Sequence, residues 1–149
     1  MRALAVPVAE PGSGIDYADA FEVEVRVPDE RSAEAWVRCG LEGAPAVVRR
    51  IIQIAHRRVL RFRLAPPSSP DHVLGWAITE SAPDVIRLEA TSPILRAAIV
   101  GRRSDPTHTR LTTLLWFGRR TLARAIWVFV GPLHRRIAPY LLARAADGR

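Results

Sequence analysis

Four histidines, one cysteine and fifteen carboxylates are the groups in this 149-residue chain that can move protons, attack a carbonyl or hold a metal. His56, His72, His108 and His134 form no H-x-x-x-H or H-x-H pair, so their spacing points to no metal site. Cys39 has no second cysteine for a disulfide or a zinc site and no neighbouring base, and it reads as a small apolar side chain in a reducing compartment. There is no lysine, since all 22 basic residues are arginine. That excludes a Walker-type phosphate loop, Schiff-base chemistry and a lysine general base. No G-x-S-x-G is present, and nothing in the chain calls for a cofactor.

His134 follows Leu133 on the edge of an apolar helical stripe, where an imidazole titrating near neutrality either faces an interior cavity or sits at the surface beside Arg135-Arg136. Glu80, Arg87, Glu89 and Arg96 fall within strand patterns, where a charge facing inward is costly unless it is paired or used. His134, Glu89 and Arg87 are therefore the candidate catalytic groups. Trp36, Trp76, Trp116 and Trp127 can fill a core or wall a pocket, with an indole N–H to orient a carbonyl.

These residues need elements to carry them. Residues 1–15 contain Pro7, Pro11, Gly12 and Gly14 and read as an extended lead-in. Phe21, Val23, Val25 and Val27 alternate with Glu22, Glu24 and Arg26, the clearest strand pattern in the chain. Asp29 is placed to cap a helix holding Trp36, Val37 and Leu41, and Pro45 sits at the first turn of another holding Val48, Ile51 and Ile52. Between Arg58 and Val73 three prolines interrupt the pattern, so either Val59–Leu64 is a strand or the sheet is short there.

Short β segments follow at Gly75–Glu80, Val85–Ala90, Leu95–Arg103 and His108–Phe117, separated by turn chemistry that predicts an antiparallel meander. Pairing Thr79 with Ile86 in the first hairpin puts Trp76, Ile78, Glu80, Arg87 and Glu89 on one face. In the last, Leu111, Thr113, Leu115 and Phe117 form an uncharged face suited to line a cavity. Leu122, Ile126, Phe129, Leu133, Ile137 and Tyr140 hold one helical phase, predicting a long amphipathic helix that Pro132 and Pro139 should bend.

The element order resembles the START-like (SRPBCC) helix-grip fold over roughly residues 15–146. More narrowly, Asp16-Tyr17-Ala18-Asp19-Ala20-Phe21, Gly43-Ala44-Pro45 and Pro132-Leu133-His134-Arg135 with Ile137 and Pro139 look like an uncharacterised bacterial family of that superfamily. The resemblance implies an α+β fold, with residues 16–149 as one domain whose curved antiparallel sheet wraps the long C-terminal helix. It also implies a cavity between them for an apolar or amphipathic small molecule, and carries over no catalytic residue. Trp36, Trp76, Leu111, Thr113, Leu115, Phe117 and Leu133 are the expected ligand-binding residues. An enzyme of the same fold, such as a cyclase acting on a polyketide-like intermediate, is the alternative.

Charge adds a weaker third reading. Residues 1–45 carry nine acids and four arginines, whereas residues 46–149 carry six acids and eighteen arginines. That asymmetry suits an anionic surface or nucleic acid, although the arginines form scattered pairs and no specific nucleic-acid reader. No apolar run reaches the length of a membrane span, and the start of the chain lacks the pattern of a secretory signal. A cytoplasmic location without membrane insertion is expected, and homodimer formation stays open.

Overall fold

The computed structural model describes residues 1–148. Seven strands, Leu4–Ala5 (β1), Tyr17–Glu24 (β2), His72–Val73 (β3), Trp76–Ala82 (β4), Val85–Thr91 (β5), Leu95–Asp105 (β6) and His108–Phe117 (β7), form one antiparallel sheet in the order β1-β2-β7-β6-β5-β4-β3. Helices Ala33–Leu41 (α1) and Ala46–Ile54 (α2) follow β2, and Arg120–Asp147 (α3) closes the chain. The expected helix-grip architecture is present: α3 lies along one face of the sheet, against β2, β7 and α1.

Alternation explains that face. Tyr17, Asp19, Phe21 and Val23 of β2 stand opposite Leu115, Thr113, Leu111 and Thr109 of β7, and Ala97, Ile99 and Gly101 of β6 continue the rows. Strand residues two apart share a face, so all of these look toward the side that carries α1 and α3. The opposite face is covered by the lead-in, which contributes β1 and then crosses the sheet. Glu10 pairs with Arg102, Ser13 O accepts from Trp116 Nε1 at 3.0 Å, and Ala98 and Leu114 are wholly buried.

Several elements differ from the sequence expectation for physical reasons. The first strand begins at Tyr17 and ends at Glu24, four residues before Phe21 and three before Val27. Ser32, not Asp29, caps α1, its Oγ accepting from Ala35 N at 3.2 Å. Asp29 is instead held by Arg31, at 2.7 and 2.9 Å, and these bonds keep its carboxyl below the usual range. No strand forms at Val59–Leu64. α2 runs into a π-helical turn, Ala55–Val59, and the edge strand β3 is only two residues long. Leu74 and Gly75, both at positive φ, make the two-residue turn from β3 into β4 that a right-twisted hairpin favours.

In the β4–β5 hairpin a bulge at Thr79 shifts the register, so that Ile78 faces Leu88 and Ala77 faces Glu89. The last helix runs through both prolines as a single element. Pro132 is exposed and lies opposite the buried side, so the carbonyl it leaves without a donor, that of Val128, faces water. The buried side is carried by Ala123, Gly131, Ala138, Leu141, Leu142 and Ala145. It is turned by about one residue, ~100°, from the stripe that the spacing suggests. Phe129, a member of that stripe, is 82% exposed.

Candidate functional site

A cavity of about 90 Å³ lies between the sheet, α3 and the α2–π segment. Its floor is Ala97 and Ile99 from β6 with Leu111, Thr113 and Leu115 from β7. One wall is α3, through Trp127, Val130, Leu133, His134 and Ile137, and the facing wall comes from Ile51, Ile52, Ala55 and His56. Phe62 and Trp76 close one end. The lining is mostly apolar, so each polar atom on it stands out.

Two aromatic clusters face each other. In the first, His56, Phe62 and Trp76 have ring centroids 5.1 to 5.9 Å apart in edge-on pairs. His56 Nδ1 accepts from Trp76 Nε1 at 3.2 Å. Burial, reinforced by the nearby charges of His134 and Arg57, pushes the His56 imidazole down to about 3, so the ring is neutral at physiological pH. With Nδ1 accepting, its one proton sits on Nε2, a donor on the cavity wall.

The second cluster joins Tyr17, Trp127 and His134, with Tyr17 and Trp127 centroids 4.9 Å apart and Trp127 and His134 5.4 Å apart. Asp19 anchors it. Its Oδ2 lies 2.9 Å from His134 Nε2 and accepts from the Tyr17 hydroxyl at 2.6 Å. Burial and the adjacent Asp19 carboxylate raise the Tyr17 phenol above its ordinary value, keeping it a neutral donor. Trp127 Nε1 is buried with no hydrogen-bond partner, as is Asp19 Oδ1. The indole N–H packs against Gly131, where an added methyl would stand 3.0 Å from it, and Trp36 Nε1, away from the cavity, is likewise buried and unpartnered.

Of the residues singled out from sequence, His134, Trp76, Leu111, Thr113, Leu115 and Leu133 line this cavity. Trp36 does not: α1 carries it onto a second core cluster with Phe21, Val23, Val25 and Leu142, where Arg31 lies over its ring at 4.6 Å. Phe117 sits at the end of β7 beside Leu95, packed on the main core outside the cavity lining.

Arg87 and Glu89 alternate with the inward Ile86, Leu88 and Ala90, so they point from the sheet's other face. There Glu89 meets Arg87 at 3.6 Å and Arg96 at 3.8 Å. They are removed from the candidate site on that geometry. Cys39 is half-buried near the end of α3, its Sγ 3.7 Å from Gly148 O. No group of three His, Cys, Asp or Glu side chains among the described residues is placed to hold a metal ion.

Asp19, Tyr17 and His56 are the site residues that sequence reasoning missed, and Trp127, one of four tryptophans able to wall a pocket, lay outside the expected ligand set. The signal for the first two was present: extending the Phe21–Val23–Val25 alternation backwards puts Asp19 and Tyr17 on the same apolar face, and a carboxylate there marks a used position. His56 and His134, 78 positions apart in the chain, meet only through the fold. Compared with known proteins, the chain matches no family model, no curated protein and no solved structure.

Proposed function

We propose that the protein binds a compact, largely apolar molecule carrying a hydrogen-bond acceptor such as a carbonyl, held between the sheet and α3. The neutral His56 imidazole on an apolar wall, its Nδ1 taken by Trp76 and its Nε2–H left as a donor, carries this reading. An acceptor placed against His56 Nε2 satisfies that donor, while the surrounding aliphatic and aromatic side chains take the ligand body. At about 90 Å³ the cavity suits a ligand of a few heavy atoms. A larger one enters by displacing α2 and the π turn, which pack more closely on each other than on any other element.

The Asp19–His134 pair favours a second reading, acid–base catalysis on the bound molecule, as a cyclase on a polyketide-like chain would require. Asp19 Oδ2, 2.9 Å from His134 Nε2, orients the imidazole as a proton-transfer group in this reading.

Native mass spectrometry after incubation with cell extract, followed by tryptophan-fluorescence titration of whatever is retained, tests binding. A non-covalent adduct is expected, and His56→Phe, which keeps an aromatic ring and removes the N–H, should weaken it roughly tenfold. A bare mass throughout, or equal affinity in H56F, overturns the reading. Turnover lost in His134→Gln with an unchanged melting temperature would favour catalysis, and turnover retained in both H134Q and Asp19→Asn would remove it.

A further inference from the structure

The cavity opens between two apolar lips. Ile51 on α2 and Leu133 on α3 both line it while 39% and 38% exposed, so both helices reach solvent at the same opening. One turn from Ile51 stands Val47, 71% exposed, and one turn from Leu133 stands Phe129, the most exposed large apolar side chain of the described residues. Aliphatic and aromatic groups held this far into water mark a contact surface when they are contiguous.

The charge around them is of one sign. Residues 43–70 contain six arginines and residues 106–146 contain seven, with no Asp or Glu in either stretch. Arg50, beside Ile51, and Arg136, one turn from Pro132 and flanking the Phe129–Leu133 stripe, are exposed and make no ion pair among the described residues. A second copy of the chain would bring equally basic lips onto these, with repulsion as the result. A phosphate backbone would meet the arginines but gain nothing from Val47 or Phe129. A bilayer of anionic lipid satisfies both, taking the side chains below its headgroups and the guanidinium groups among its phosphates.

We infer that the two lips of the cavity, Val47 and Ile51 on α2 with Phe129 and Leu133 on α3, dock reversibly on an anionic membrane surface, so that the cavity mouth opens toward lipid. Docking is peripheral: among the described residues no helix is long and apolar enough to cross a membrane.

Co-sedimentation of the full chain with vesicles of phosphatidylcholine alone, or of equal parts phosphatidylcholine and phosphatidylglycerol, tests this without any cavity ligand, and so independently of the reading above. Binding to the mixed vesicles is expected to be at least roughly tenfold stronger than to neutral ones and to weaken with salt. The double variant V47S/F129S should lose roughly tenfold on the mixed vesicles, and Arg50→Gln and Arg136→Gln about fivefold each. Both apolar positions are exposed, so the variants should melt with the wild type. No sedimentation with mixed vesicles at low salt overturns the inference. So does binding that V47S/F129S leaves unchanged, tighter binding to duplex DNA than to vesicles, or a solution dimer that the same double variant dissolves.

Discussion

Replacing His56 with glutamine should flatten the acid side of the protein's stability profile. In the fold the imidazole is pushed down to about 3, against an ordinary value of 6.5, so between those two values the unfolded chain holds a proton that the folded chain refuses. Stability from this group is therefore full above about pH 6.5 and is lost as pH falls toward 3. Going from pH 7.5 to pH 5, the linkage relation removes about 2 kcal/mol, a large share of the margin of a domain this size. Glutamine keeps an oxygen to accept from Trp76 Nε1 but cannot titrate. Urea unfolding followed by circular dichroism at several pH values should show the wild type losing about 2 kcal/mol more than H56Q over that interval. His108 works in the opposite sense, its value raised by the bond its ring donates to the Asp105 carboxylate, but it is common to both proteins and cancels in the difference. Parallel profiles for the two proteins would refute the claim that His56 is held neutral, and with it the assignment of its proton to Nε2.

Two stability predictions test the packing around the site. Gly101 faces α1, and a methyl group there would stand 2.6 Å from Val37 Cγ2 and 3.1 Å from Ile86 Cγ2, both on buried residues; Gly101→Ala should therefore cost about 1–3 kcal/mol in chemical denaturation. Ser32→Ala removes the side-chain cap of α1 and should cost about 1 kcal/mol, an effect that Ser32→Asp should largely recover.

Much of the fold is legible in the sequence because its signals are local. His108–Phe117 is rich in threonine, leucine and aromatic residues and is bounded by turn residues and by Gly118, and the strand occupies those residues. Pro45 opens α2 as its fixed φ favours. What could not be read depends on partners distant in the chain. Asp29 and Ser32 are both competent caps; the choice falls to Ser32 because Arg31 and Arg103, the latter on β6, claim the Asp29 carboxylate. The bulge at Thr79 reverses which residues of β4 share a face with Glu89, and neither glycine nor proline announces it. The lead-in lacks any period, yet crosses the sheet because Ala98, Val100 and Leu114 leave an apolar strip on the far face that must be covered.

The helical stripes show the same limit most sharply, and lead to its functional consequence. Periodicity says that a face is apolar without saying what covers it. α2 has Val48 and Ile52 turned inward, Val47 and Ile54 turned outward and Ile51 at the cavity rim, the last three all exposed, so it is apolar around most of its girth while only Ile52 is fully buried. A helix held that lightly costs little to move, and burial of its outer residues elsewhere offsets the loss of its inner contacts. In the docked orientation proposed above, the bilayer would supply that burial if α2 moved from the cavity. Opening the site to a ligand too large for 90 Å³ and resting on the membrane then become one coupled step, each favouring the other. A water-insoluble ligand would pass from lipid to cavity along the Val47–Ile51 and Phe129–Leu133 lips without crossing water.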